Sequence, residues 1–212
     1  MRLVLVGPPG AGKGTQAGHL VKRYGLAHIA TGDIFRANVQ SGTELGRMAS
    51  SYMAAGELVP DEVVVRMVVE ALASEGFVLD GFPRTIPQAL ALEKELEATQ
   101  RPLTAVLALT LDEEIAVKRL AGRRACSSCG RITNVELDPP RTEGTCDSCG
   151  GRLVRRDDDD EVTVRRRLEV YQESTEPLLT FYAERGLLRL VDADGSEEEV
   201  TERLVAALAG SR

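Results

Sequence analysis

Apolar residues gather into three runs of strand length, Leu3 to Val6, Phe77 to Leu79 and Ala105 to Leu111, with a shorter fourth from Leu187 to Val191. Each is followed by helical spacing. After the first run, Ala17, Leu20, Val21 and Tyr24 recur at helical intervals, and Ile115, Ala116, Val117 and Leu120 do so after the third. Strands that alternate with helices predict a parallel sheet covered on both faces. A long helix is predicted from Glu161 to Tyr182 and a last one from about Glu197 to Leu208.

Two segments break this alternation. Residues 31 to 59 lack a strand and carry two short helical patterns around Ser41 and Gly42, which predicts a small helical lobe. Residues 122 to 159 are rich in Arg, Asp, Gly, Pro and Cys and poor in large aliphatic side chains. Such a stretch cannot bury enough apolar surface to order itself. Its four cysteines offer another means. Cys126-Ser127-Ser128-Cys129-Gly130 and Cys146-Asp147-Ser148-Cys149-Gly150 are matching hooks, 16 residues apart, with the spacing of a four-thiolate zinc site. Four protein ligands leave no open position, so a structural Zn²⁺ is expected rather than a hydrolytic one. Disulfides are the alternative, and they belong to an oxidising compartment.

Composition narrows the picture. A length of 212 residues suits one α/β domain with inserted lobes, and 43% hydrophobic residues support a core. With 33 acidic against 26 basic residues the net charge is −7, which argues against nucleic acid as a partner. The apolar run after Met1 and Arg2 is too short for a signal-peptide core or a membrane span. A cytoplasmic protein with no membrane partner is expected.

The first strand runs into Gly7-Pro8-Pro9-Gly10-Ala11-Gly12-Lys13-Gly14-Thr15, and a helix is predicted to open there. This is the context of a phosphate-binding loop. Gly10, Gly12 and Gly14 let backbone N–H groups converge on a phosphate, the helix N-terminus adds its dipole, and Lys13 supplies a point charge. The strict pattern sets Ser or Thr directly after the lysine. Here Gly14 takes that place and Thr15 follows, so the hydroxyl is expected on phosphate or through water rather than directly on Mg²⁺.

Three more segments carry a resemblance: Thr31-Gly32-Asp33 with Arg36, Asp80-Gly81-Phe82-Pro83-Arg84-Thr85, and Gly122-Arg123-Arg124. With the Gly-Lys-Gly-Thr loop they resemble the adenylate kinases, and the Asp-Gly-Phe-Pro-Arg segment is specific to nucleoside monophosphate kinases. The resemblance is to the bacterial type with a long, four-cysteine zinc lid, and it runs from Met1 to the last helix. It implies an α/β fold with a P-loop core and a five-stranded parallel sheet (1–29, 60–121 and 160–212), an AMP-binding lobe (30–59) and a zinc-ribbon-like lid (122–159). It also implies a monomer that uses Mg²⁺ to move the terminal phosphoryl group of ATP onto AMP, reversibly, giving two ADP and balancing the adenine nucleotides.

Residue by residue, the resemblance implies that Gly10, Ala11, Gly12, Lys13, Gly14 and Thr15 hold ATP, with Arg119, Arg123, Ile132, Thr133 and the Glu197 backbone beside it. It implies an AMP site of Thr31, Arg36, Glu57, Leu58, Val59, Gly81, Phe82, Pro83, Arg84 and Gln88. Arg156 and Arg167 would bridge the phosphates, and Asp158 and Asp159 would help close the lid. Lys13, Arg84, Arg119, Arg123, Arg156 and Arg167 form the implied catalytic set. Arginine suits such a task because its planar fork binds phosphate oxygens in pairs and keeps its charge. Asp80, at a strand end, is expected to hold Mg²⁺-bound water. Arg165 and Arg166 stand at helical spacing from Glu161 and Glu169 and are expected to be surface ion pairs, and no chemical role is expected for His19 or His28.

Two other readings share some of these signals. UMP/CMP kinases carry the Asp-Gly-Phe-Pro-Arg segment but usually have short lids without a metal knuckle. A zinc ribbon can also bind nucleic acid, but here it lies between Arg123 and Arg156, inside the expected lid.

Overall fold

The computed structural model describes residues 1–72 and 74–210. Five strands form the central sheet: β1 Arg2–Val6, β2 Ala27–Ala30, β3 Phe77–Asp80, β4 Ala105–Thr110 and, late in the chain, β8 Leu188–Asp192, in the order β2-β3-β1-β4-β8. Every pairing is parallel. Side chains alternate between faces, so each central strand feeds two cores. Val4, Val6, Leu79, Val106 and Ala108 face one layer, built by α4 Asp61–Ala71, α5 Ile86–Ala98 and α8 Pro177–Glu184. Leu3, Leu5, Val78, Leu107 and Leu109 face the other, built by α1 Lys13–Tyr24 and α9 Glu197–Ala209.

Helix ends follow local chemistry. Thr85 caps α5 by accepting from the Gln88 N–H, and Ser196 and Glu199 form a reciprocal capping box on α9. Gly25 closes α1 in the left-handed conformation, with Lys22 and Arg23 in its last turn, where the helix dipole favours cations.

The strand-free stretch after β2 folds as α2 Thr31–Gln40 and α3 Glu44–Ala55. After α6 Glu113–Gly122 the chain makes a second, three-stranded antiparallel sheet from β5 Arg123–Cys126, β6 Ile132–Asn134 and β7 Leu153–Val154. Its small core is Cys126, Cys146 and Leu153. The helix expected from Glu161 to Tyr182 is α7 Glu161–Val170, a π turn at Tyr171–Thr175, and α8. That wider turn buries Thr175, whose hydroxyl donates to the Arg84 carbonyl at 2.9 Å. Among the described residues no helix is long and apolar enough to cross a membrane.

Candidate functional site

The carboxyl ends of the parallel strands open into one cleft of about 1290 Å³. This is the edge at which open α/β sheets collect ligands. The loop after β1 lies on its floor. Gly10 has φ 88°, and a Cβ there would meet the Ala116 carbonyl oxygen at 2.8 Å, so only glycine serves. Gly14 differs from the sequence expectation. It is not among the positive-φ glycines; a Cβ there would stand 3.3 Å from Oδ2 of Asp80, so its smallness clears room rather than freeing the backbone.

Lys13 opens α1 with its Nζ donating to the carbonyls of Gly7 at 2.7 Å and Pro8 at 2.9 Å. Burial pushes its pKa down to about 7; Asp80 opposes that shift, and Arg84, Arg167 and Arg123 add to it. Asp80 ends β3. Burial pushes its carboxyl up, but His28 and Lys13 more than offset this and hold it below the usual range. His28 Nε2 stands 3.7 Å from Asp80 Oδ2, so this imidazole borders the site although the sequence assigned it no task.

Arg36, Arg84, Arg119, Arg123, Arg156 and Arg167 all line the cleft with Lys13. Burial, with Arg167 and Arg36 beside it, lowers Arg84 to about 10, and burial with Arg36 and Arg123 does the same to Arg156. A cluster that repels itself this way is poised for anions. Carboxylates stand against two of these guanidiniums. Arg123 Nε donates to Asp159 at 2.8 Å and its other nitrogen reaches the second oxygen, while Arg167 contacts Asp158 at 2.9 Å and Asp159 at 3.4 Å. Asp159 is buried between the two guanidiniums.

A second pocket, about 90 Å³, lies beside the first and is lined by Thr31, Glu57, Leu58, Val59, Gln88 and Asp158, with Phe35 and Met53 as further walls. Arg36, Arg84, Arg167 and Gly81 line both pockets. Thr31 Oγ1 and Arg84 Nε each donate to the Gly81 carbonyl at 2.9 Å, which fixes the turn after β3. Pro83 lines the larger cleft, whereas the Phe82 side chain is packed into the core. Phe35 and Met53 lie on α2 and α3, and helical spacing alone does not tell such residues from core positions.

Ile132, Thr133 and Glu197 also line the larger cleft. The Glu197 carbonyl already accepts from Gln16 Nε2 at 3.0 Å, and its carboxylate pairs with His19. Arg119 donates to the carbonyls of Ala193 at 3.0 Å and Gly195 at 3.4 Å. The 193–197 loop is thus held from two sides, by Gln16 and by Arg119. Arg165 and Arg166 pair with Glu161 and Glu169 at 3.0 Å, as helical spacing predicts, and Arg166 also reaches Glu57 at 2.7 Å.

In the smaller sheet the four cysteine sulfurs lie within 4.8 Å of one another. Cys126 to Cys149 is 3.4 Å and Cys129 to Cys146 is 3.7 Å. A disulfide would need about 2.05 Å, whereas a zinc tetrahedron with bonds of about 2.3 Å has edges of about 3.8 Å. Backbone N–H groups of Cys129 and Ser128 lower the Cys126 thiol to about 6. Cys149 receives the Gly151 N–H, but the sulfurs of Cys129 and Cys126 push it up to about 12. Four neighbouring sulfurs cannot all ionise without a cation among them, and the donor set and spacing fit Zn²⁺.

A parallel sheet of this order, a glycine-rich loop with Lys13 at its carboxyl edge, and two pockets joined by arginines define a P-loop phosphotransferase. A family model described as "Adenylate kinase" matches residues 5–187. The proteins named "Adenylate kinase" from Acidothermus cellulolyticus and Streptomyces avermitilis are each 53% identical to the chain, over 98% of it and 98% and 97% of their own lengths. The one from Thermodesulfovibrio yellowstonii is 51% identical over 98% of the chain and 99% of its own. The chain belongs to the adenylate kinase family.

Proposed function

We propose that the chain transfers the terminal phosphoryl group of ATP to AMP, reversibly, giving two ADP. The observation that carries this reading is the sharing of Arg36, Arg84 and Arg167 between the two pockets, which lets one set of cations face the phosphates of two nucleotides. ATP occupies the larger cleft with its phosphates on residues 10 to 15 and its base toward Ile132, Thr133 and the 193–197 loop. Because the Glu197 carbonyl is already engaged, its part is to anchor that loop as much as to meet the base. AMP occupies the smaller pocket, its base near Gln88 and its phosphate near Arg36 and Arg84.

Bringing two nucleotides together concentrates negative charge, and fixed cations must offset it before the oxygens align. Arg123, Arg156 and Arg167 supply them, Arg123 and Arg167 by exchanging Asp158 and Asp159 for phosphate. The AMP phosphate has a second pKa near about 6 and offers an ionised oxygen at neutral pH, so no general base is required. Mg²⁺ bound with ATP would neutralise phosphate charge, and Asp80 would be the carboxylate that helps hold it. Transfer is direct and in line.

The segments 30–59 and 122–159 act as mobile lobes on the core, and closure excludes water that would otherwise take the phosphoryl group. Zinc at Cys126, Cys129, Cys146 and Cys149 orders the second lobe. The protein acts as a cytoplasmic monomer that balances adenine nucleotides. The test supplies MgATP with AMP, UMP, CMP or GMP in turn and follows ADP release. AMP is expected to be preferred, and preference for another acceptor overturns the reading. Chiral phosphate labelling is expected to show inversion; retention excludes direct transfer.

A further inference from the structure

Gln88 is 1% exposed, yet it lines the smaller pocket. Its amide oxygen accepts the Arg84 backbone N–H at 2.7 Å, and its amide nitrogen donates to Oδ1 of Asp61 at 2.7 Å. An N–H only donates and a carboxylate only accepts, so these two partners leave the amide one orientation. The other Asp61 oxygen accepts the Thr85 hydroxyl at 2.8 Å, and Thr85 in turn caps the helix that carries Gln88. Asp61, the first residue of α4, therefore holds both the amide and the turn from which it projects.

We infer that Asp61 is a positioning residue that selects a 6-amino over a 6-oxo purine in the acceptor pocket by locking the Gln88 amide in one of its two orientations. This rests on the reading that the smaller pocket takes the monophosphate and that Gln88 meets its base. After Arg84 and Asp61 are served, the amide keeps one N–H and one oxygen lone pair for a ligand. Adenine presents an acceptor at N1 beside a donor at N6, whereas hypoxanthine presents a donor at N1 beside an acceptor at O6. The two edges reverse donor and acceptor at the same positions. An amide free to flip pairs with either, and a locked one pairs with only one and leaves unmatched groups against the other. Asp61 is not among the residues lining the pocket, so it acts through Gln88.

The test compares kcat/KM for AMP and for inosine monophosphate in the full-length protein. Wild type is expected to prefer AMP, and Gln88→Ala to lower AMP use and narrow that preference. If Gln88→Ala does neither, the pocket reading fails and takes the inference with it. With that control met, Asp61→Ala is expected to lower the AMP-to-inosine ratio by about tenfold, the scale of one lost hydrogen bond. Asp61→Asn is expected to stay within about threefold of wild type, because its amide oxygen accepts from Gln88 while its nitrogen faces the Thr85 hydroxyl. A fall in both activities with the ratio unmoved, the mark of a merely structural residue, overturns the inference. Should Asp61→Ala not fold, a neutron structure of the wild type decides: two deuterons on the Gln88 amide atom that faces Asp61 and none on the atom that faces the Arg84 N–H support the lock, and a reversed or mixed amide overturns it.

Discussion

Lys13 shares its cleft with Arg84, Arg167 and Arg123, and Asp80 is the counter-charge that opposes them. Burial and this company bring its pKa to about 7, so at pH 8 the free protein carries mostly the neutral amine. A bound phosphate adds negative charge beside the amine and raises its pKa. ATP binding above pH 7 must then draw a proton from solution, and affinity must fall as pH rises from about 7 to about 9. Calorimetry at pH 8 in buffers of different ionisation enthalpy is expected to show uptake of about one proton, absent in Lys13→Met; buffer-independent heats would contradict this. For folding the sign is the reverse. The unfolded chain binds more protons than the folded one between about 7 and the model-peptide value of 10.5, so this group's contribution to stability rises with pH through that window.

At the scale of elements, α1 begins at Lys13 on the phosphate side and, three residues on, places the Gln16 amide on α9. There it donates to the Glu197 carbonyl and accepts from Thr201 at 2.8 Å. One side chain thus sets the distance between the phosphate loop and the 193–197 loop. Gln16→Leu is expected to weaken ATP by about tenfold while leaving inorganic tripolyphosphate, which has no base, within about twofold. Equal losses for both would show a collapse of the phosphate loop instead. The small sheet follows the same logic. β5 joins Cys126 to Arg123, and β7, paired to β5, leads to Arg156, so a metal among the cysteines fixes the spacing of two cleft arginines. Chelation is expected to lower the melting temperature by about 5 °C or more and to reduce turnover far less when assayed cold. An unchanged melting temperature would remove zinc from the account.

These elements also show what was legible beforehand. Strands β1, β3 and β4 stood out as apolar runs because the sheet buries both their faces, whereas β8, an edge strand with Leu190 exposed, gave only a shorter run. β2 did not, because Ala27–Ala30 is a four-residue edge strand with an exposed His28, paired only with β3. Helix α4 carries a run of valines, a residue type that favours strands, so its helical period is weak in the sequence; Val64 and Val68, four apart, pack inward. The loop, Arg84, Arg123 and the cysteines were legible in contiguous motifs, whereas Arg119, Arg156 and Arg167 followed only from the family resemblance. The links Gln16 to Thr201, His28 to Asp80 and Asp61 to Gln88 were not, since each joins residues that only the fold brings together.

For the molecule as a whole, the charge distribution decides the behaviour. A chain of net charge −7 gathers Lys13 and six arginines around one cleft and balances some of them with Asp80, Asp158 and Asp159. The helical lobe is tied to α7 by Glu57 and Arg166, and the end of the small-sheet segment by Asp158 and Asp159 with Arg167. Phosphates that displace the carboxylates would therefore pull on all three parts together. Two adenosines joined by five phosphates span both proposed sites, and tethering makes the second contact intramolecular. Such a ligand is expected to bind more tightly than ATP or AMP and to raise the melting temperature above the value reached with saturating ATP. Because the attraction is ionic, its Kd is expected to weaken at least about tenfold between about 50 mM and about 500 mM salt, while adenosine binding stays flat. A ligand no tighter than ATP, or one indifferent to salt, would mean that the two pockets do not share their arginines.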